Sequence, residues 1–321
     1  MRIAFFGDLH VADKAPLGRI DDYRTTILNK LREISNICLE QEVDYCISTG
    51  DLFHIKRPNR VSHSLVQEMI EIFRGFPCEV FAIQGNHDQG PEGVESIGKQ
   101  PLGVLEKAGV IKILSSIKDS RIGVWIIPRP YNSEGDADPM YYALSATEIA
   151  LLESNPAPTI MVAHGSVLAP RDERPYPYVN VDELPNVASL DLFVAGHIHE
   201  NLGIHTLKSG TIFANVGSIG RTARTQANYV RKVQMLIANI DQKGISVESV
   251  EIPGVPPAFE VFEGKEMITN EAPNEEIKKF VERLGEGLRS EELTIDELLA
   301  SLENLKPSVK VLLRTYLEEA N

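Results

Sequence analysis

Seven side chains able to hold a divalent cation lie in short blocks within the first 199 residues of a 321-residue chain: Asp8, His10, Asp51, Asn86, His164, His197 and His199. The blocks read Gly7-Asp8-Leu9-His10, Gly50-Asp51, Gly85-Asn86-His87-Asp88, His164-Gly165 and Gly196-His197-Ile198-His199. Every donor is an oxygen or an imidazole nitrogen, with no thiolate. Such a set suits manganese, zinc or iron better than calcium or a structural zinc site. One ion cannot use so many donors. Two ions about 3.5–4 Å apart would use them all. Asp51 is the natural bridge, because each carboxylate oxygen can serve one ion. A divalent pair activates water at neutral pH and neutralises phosphoryl oxygens, so the reaction class expected is hydrolysis of a phosphate ester. His87 directly follows a donor and could donate to the substrate or protonate a leaving alkoxide.

Each block follows a run that reads as a buried strand. Residues 2–6, 43–48, 79–84, 159–163 and 192–195 are apolar and short, and each is closed by glycine or a ligand-type residue. Side chains at such ends meet where open α/β sheets place their chemistry. Five strand ends carrying these seven residues by chance, as unrelated polar turns, is the poorer explanation. Residues 20–41 have helical spacing, with Ile27, Leu28, Leu31, Ile34 and Cys38 on one face and Asp21 or Asp22 as the cap. Further helices are expected over residues 61–73, 102–108 and 141–153, and strands over 110–114 and 122–127. Residues 169–181, with three prolines, read as a loop near the site. Strands at 203–207, 211–216, 233–240 and 245–252 follow without intervening helices, which suggests an antiparallel sheet after the βα part. A proline-rich linker spans 253–257. Beyond it Ile277, Phe280, Val281 and Leu284, then Leu298, Leu299 and Leu302, then Val309 to Leu317 repeat with helical period, with Pro307 placed to start the last helix. The expected division is therefore a catalytic domain over 1–255 and a helical segment over 256–321.

Composition bounds the rest. The chain is 43% hydrophobic, ample for a full core. Its three cysteines have no metal-site spacing, and a sparse odd count argues for a reducing compartment. No signal peptide and no bilayer-spanning run is read, so a soluble cytoplasmic protein is expected. The net charge of −14 is unfavourable for a polyanionic substrate. Bound cations would offset part of it. From Glu260 onward there are 15 acidic and 8 basic residues, so much of the excess lies in the tail.

The five blocks, in this order, resemble the calcineurin-like metallophosphoesterase family over roughly the first 220 residues. That resemblance implies an α/β fold, a two-sheet β-sandwich flanked by helices. It assigns Asp8, His10, Asp51 and His199 to one ion, and Asp51, Asn86, His164 and His197 to the other. It makes His87 the catalytic histidine, with Asp88 orienting it. Within the family, Gly50-Asp51-Leu52-Phe53-His54 followed by Arg57-Pro58 resembles SbcD-type nucleases, the exonuclease subunit of a double-strand-break repair complex. His54 would then match a second active-site histidine; the plainer reading is a histidine flanking a helix. Asn215-Val216-Gly217-Ser218 with Arg221 looks like the same group, and Gly220-Arg221-Thr222-Ala223-Arg224 resembles phage-type relatives. The implied cofactors are two divalent metal ions, with manganese the first choice. The implied partners are DNA, an SbcC-type coiled-coil ATPase docked by the tail, and a second copy meeting near residues 60–73. Few residues follow Pro257, so the DNA-holding cap of SbcD-type proteins is expected to be reduced.

Among the basic residues, Arg57, Arg60, Arg171, Arg174, Arg221, Arg224, Arg231 and Lys232 could follow a phosphate backbone, and Arg221 with Arg224 is the best pair for binding substrate. Each singly reads as a solvated surface charge. His63 and His205 have no motif around them. Two other functions remain open beside the nuclease: a phosphodiesterase or phosphatase for small substrates, and a scaffold subunit with vestigial activity. The intact donor set argues against the scaffold.

Overall fold

A computed structural model describes residues 1–16, 18–54, 60–90, 92–114, 118–119, 123–174 and 176–263. The first strand, β1 (Arg2–Phe6), sets the layering by simple alternation. Ile3 and Phe5 point to one face, Ala4 and Phe6 to the other, and all four are buried. A strand buried on both faces needs cover on both. Its first cover is the helix α1 (Tyr23–Glu40), which presents Ile27, Leu28, Leu31, Ile34 and Cys38 to Ala4 and Phe6. The carboxylate of Asp22 caps α1 by accepting from Thr25 N. Its neighbour Asp21 pairs with Arg19 instead.

After α1 come β2 (Tyr45–Ser48), α2 (His63–Arg74), β3 (Glu79–Ala82), α3 (Pro101–Lys107) and the short β4 (Lys112–Ile113). Strands β1, β2, β3 and β4 run parallel, aligned so that Phe6, Ser48 and Ala82 stand in one row. The chain then gives β5 (Lys118–Asp119), β6 (Val124–Arg129), α4 (Pro139–Tyr142), α5 (Ala146–Ser154), β7 (Thr159–His164), β8 (Val167–Leu168), β9 (Val179–Asn180) and β10 (Leu192–Gly196). In this second sheet β6, β7 and β10 are parallel neighbours, with His164 beside Gly196. The chain continues through β11 (Gly203–Thr206), β12 (Ile212–Asn215), α6 (Gln226–Val230), β13 (Gln234–Asp241), β14 (Gly244–Glu251) and α7 (Ala258–Val261).

Among the described residues the sheets are β14-β13-β1-β2-β3-β4 and β11-β12-β10-β7-β6-β5, plus the small β8-β9 pair. Ile3, Phe5, Ile47 and Phe81 of the first sheet pack with Ile126, Ile160, Val162 and Val194 of the second to form the centre of a sandwich. Helices α1, α2 and α3 cover the outer face of the first sheet. Tyr142, Leu144 and the segment 181–190 cover the outer face of the second. The expected α/β two-sheet sandwich is thus the fold.

Three expectations are corrected. The last four long strands do not build a sheet of their own. The hairpin β11-β12 joins the second sheet, with β12 parallel to β10, and β13-β14 crosses to the first sheet, with β13 antiparallel to β1. Alternation within a strand fixes its faces, not the sheet it joins. The helix expected over 141–153 is two helices. Ser145 accepts from Glu148 N while Glu148 reaches back to Ser145 N, a capping box that starts α5 afresh. Residues 169–181, expected as a loop, also contain β9. The helical periodicity at 277–317 lies outside the described residues, as does most of the segment 256–321.

Candidate metal centre

The parallel strands β1, β2, β3, β7 and β10 deliver the donor blocks at their C-terminal ends. The loops after β1 and β2 stay paired beyond the strands: Asp8 N donates to Gly50 O (3.0 Å), His10 N to Asp51 O (2.9 Å) and Val11 N to Leu52 O (2.8 Å). Asp8, His10, Asp51 and His197 all take positive φ, between 51° and 86°. A non-glycine residue there costs on the order of 1–3 kcal/mol and persists only where its surroundings enforce it. Each of these turns aims a donor at the same space.

The donors converge in overlapping sets. Asp8, His10, Asp51 and His199 form one, and Asp51, His164 and His197 another, with ligand atoms within 4.8 Å of one another in each. Asp51 belongs to both: its Oδ2 is 3.5 Å from His10 Nε2 and 3.4 Å from His164 Nε2. His199 Nε2 lies 2.9 Å from His10 Nε2 and 3.6 Å from Asp8 Oδ1. Asn86 Oδ1 joins the second set at 3.2 Å from both His164 Nε2 and His197 Nδ1. His10, His54 and His87 make a further set beside the first, with His54 Nδ1 3.4 Å from His10 Nδ1.

Hydrogen bonds fix these side chains from behind. His164 Nδ1 donates to Thr49 O at 2.7 Å, which turns Nε2 toward Asp51. Asp8 accepts from His197 N at 3.1 Å, tying β10 to β1. Asp51 Oδ1 accepts from His87 N at 2.8 Å. The His87 ring donates through Nδ1 to His54 O at 2.6 Å. Asp88 accepts from the backbone amides of Leu52 (3.1 Å), Gly85 (3.1 Å) and Phe53 (3.4 Å). Its carboxylate therefore joins the Asp51 loop to the Asn86 loop. Gly85 stands where these loops meet, with no room for a side chain against Asp51.

The electrostatics favour cations. Burial would raise the Asp51 carboxyl, but the facing His164 and His87 hold it well below its ordinary value. Burial lowers His197 to about 4, with His164 adding to the shift, and lowers His54 to about 3, with His87 adding. His164 is the exception: burial lowers it, but the charge of Asp51 outweighs that and raises it to about 9. Burial and the charge of Asp51 push Asp88 up to about 7. An ionised bridge among largely neutral imidazoles is a donor set that fits two divalent cations. Asp8, His10, Asp51 and His199 could hold one, and Asp51, Asn86, His164 and His197 the other.

Among the described residues, several basic residues expected along a substrate are bonded to the protein itself. Arg221 is 3% exposed and donates to Pro256 O, and Arg224 donates to Glu263 O. Arg171 pairs with Glu183, Arg174 with Glu200 and Asp172, and Lys232 with Glu251. Arg57 lies outside the described residues. Sequence reasoning passed over Tyr131, whose ring lies 5.6 Å from that of His197 and 6.3 Å from that of His164. Its position just past β6 was the available signal, since the ends of β1, β2, β3, β7 and β10 had all drawn notice.

Residues 1–201 match the family model described as calcineurin-like phosphoesterase, and the chain belongs to that family. It is a metal-dependent phosphoesterase by fold and by its two clusters of donors. Among curated proteins it is similar to the DNA double-strand break repair protein Mre11 of Archaeoglobus fulgidus, 23% identical over 307 residues, which cover 89% of this chain and 65% of the relative. It is also similar to the double-strand break repair protein MRE11 of Encephalitozoon cuniculi, 27% identical over 140 residues, 36% of this chain and 23% of that one. The chain thus spans less than two thirds of the length of either relative. Among solved structures, a dimetal phosphatase from Danio rerio aligns at 12% identity and TM-score 0.49 over 78% of this chain and 99% of that one. A 5'-nucleotidase precursor from Thermus thermophilus aligns at 13% and 0.45 over 80% and 55%. No described helix is long and apolar enough to cross a membrane.

Proposed function

We propose that this chain is a two-metal phosphodiesterase acting on DNA, a nuclease subunit of a double-strand-break repair or recombination assembly. The observation that carries the phosphodiesterase reading is the carboxylate of Asp51, set between two groups of donors brought by five strand ends. The preference for DNA is supported by similarity to two proteins named for double-strand break repair. When bound, the two cations, manganese by preference, supply an activated water and charge neutralisation at the phosphoryl oxygens. The chain's own residues do the rest. Asp8, His10 and His199 with Asp51 would hold one cation, and Asn86, His164 and His197 with Asp51 would hold the other. His87, when protonated on both ring nitrogens, keeps Nδ1–H on His54 O, presents Nε2–H to the leaving oxygen and gives it that proton. Asp88 keeps His87 in place through the backbone it binds, and His54 packs beside it with ring centroids 5.6 Å apart. Arg221 and Arg224 act on substrate only indirectly, through the loop they brace. The division into a catalytic domain over 1–255 and a docking segment over 256–321 for a coiled-coil ATPase, a homodimer, and a cytoplasmic setting belong to the same proposal.

The second reading is a phosphodiesterase or phosphatase for small substrates, which the net charge of −14 favours. Labelled linear DNA with manganese, run beside a cyclic nucleotide and p-nitrophenyl esters, separates the two. Degradation of DNA supports the nuclease. DNA left intact while the small diester turns over rejects it. Co-purification with a coiled-coil ATPase tests the docking segment, and its loss on removal of 256–321 is the result expected.

A further inference from the structure

The segment that follows β6 is tied to both sides of the second donor set. On one side Tyr131 N donates to Gln84 O (2.9 Å), and Gln89 Nε2 donates to Tyr131 O (2.8 Å). Gln84 and Gln89 bracket the block 85–88 that carries Asn86. On the other side the Asp136 carboxylate accepts from Ser166 N (2.6 Å) and Ser166 Oγ (2.7 Å), two residues past His164. The hydroxyl of Tyr141 donates to Pro130 O and fixes the chain just before Tyr131. Backbone held from separate segments in this way keeps the Tyr131 side chain in one place, which is what positioning a substrate requires.

That place is the rim of the metal centre. The ring of Tyr131 is tilted by 37° to that of His197, at 5.6 Å, and stands nearly perpendicular to that of His164, at 6.3 Å. The residue is half-buried. Burial raises its phenol above the ordinary value, and the charges of Asp136 and then Asp51 add to the shift, so the hydroxyl is within electrostatic reach of the shared carboxylate. Other tyrosines near the site spend their hydroxyls on the protein: Tyr23 donates to His10 O (2.8 Å), Tyr141 to Pro130 O and Tyr142 to Asp136 O (3.3 Å). A tyrosine hydroxyl taken out of water ordinarily finds such a partner. That of Tyr131 bonds to no group among the described residues. The side chain is anchored at its root and idle at its tip.

His87 flanks the first donor set, its ring 4.8 Å from that of His10. Its proton serves the leaving oxygen. The non-bridging phosphoryl oxygens, where negative charge grows during attack, need donors of their own. We infer that Tyr131 is a further catalytic residue, its hydroxyl donating a hydrogen bond to a non-bridging phosphoryl oxygen of the substrate on the His164–His197 side of the site, an inference that rests on the phosphodiesterase reading. The bond strengthens as the oxygen gains charge, so it acts on the transition state more than on the bound ester.

The test is Tyr131→Phe in the full chain, which removes the hydroxyl and keeps the ring. Loaded with manganese, the variant should turn over bis-p-nitrophenyl phosphate with kcat lowered roughly 10–100-fold, the worth of one hydrogen bond to a charged oxygen, and with KM moving far less. Orthovanadate, a mimic of the phosphoryl group followed by calorimetry, should bind more weakly by a similar factor. Manganese affinity and the unfolding temperature should not change, because the hydroxyl has no protein partner to lose; a merely structural role would move both. Wild-type kcat and vanadate affinity in Tyr131→Phe, or a loss that only tracks weaker manganese binding, overturns the inference and leaves the phosphodiesterase reading standing. A manganese-loaded wild-type chain that neither hydrolyses the diester nor binds orthovanadate overturns both.

Discussion

Gly85 leaves no room for a side chain beside Asp51. An added Cβ would stand 2.5 Å from Asp51 N and 2.7 Å from Asp51 Cγ, and closer still to the Oδ1 that holds His87 N. Real Cβ atoms essentially never come within 3.0 Å of another heavy atom, so the Asp51 backbone must retreat by about 0.5 Å at the least. That backbone cannot move alone. Asp51 O accepts from His10 N, and Leu52 N and Gly85 N are both bound to Asp88. Gly85→Ala should therefore cost about 1–3 kcal/mol, the usual range for overpacking a tight interior. The larger effect should be on function. Displacing the shared carboxylate by half an ångström or more, with His87 following it, should lower phosphodiester turnover on the order of 10²-fold. Binding of the second cation should weaken by about 10–100-fold. Titration calorimetry with manganese, turnover of bis-p-nitrophenyl phosphate and thermal unfolding measure the three quantities. Gly98→Ala is the control, because nothing lies within 4 Å of its added Cβ. A Gly85→Ala protein that binds two cations with wild-type affinity and turns over normally refutes the reasoning.

Two further outcomes are expected. His87→Ala should lose about 10²–10⁴-fold in kcat while still binding two cations, because His87 serves the leaving group and the donors lie on other residues; unchanged kcat would remove it from the chemistry. Glu148 accepts both guanidinium hydrogen bonds of Arg129 and caps α5. Burial opposes its ionisation, but Arg129 and then Ser145 outweigh that and hold it below the ordinary value of 4.5. A carboxyl lowered in the folded state stabilises above about pH 4.5 and loses that contribution as pH falls through its folded pKa. Glu148→Gln should thus flatten the acid limb of unfolding temperature against pH, and identical limbs below pH 4.5 would count against the pair.

Much of the centre could be read without coordinates. Asp8, His10, Asp51, Asn86, His164, His197 and His199 each follow a short apolar strand, and parallel strands in register end on one rim. Local pattern carries that information, because the strand period and the glycine after it are properties of a few adjacent residues. Less legible was the backing. Asp88 reads as a partner for the His87 ring, yet its carboxylate accepts from amides of Leu52, Phe53 and Gly85, and two of those three belong to a loop more than thirty residues away. Arg221 reads as a surface cation beside the site and lies buried against Pro256.

The sequence by itself determined which residues are donors, that they stand at strand ends, and that α1 buries one face. Tertiary structure alone decided that Asp8 and Asp51 are held in left-handed turns, that β11-β12 and β13-β14 part to opposite sheets, and that the three cations Arg19, Lys30 and Arg231 gather on residues 218–221. The reason is range. Periodicity and capping are set by neighbours a few residues apart, whereas pairing partners, charge balance and left-handed turns at Asp8 and Asp51 are enforced by contacts between segments tens to hundreds of residues apart.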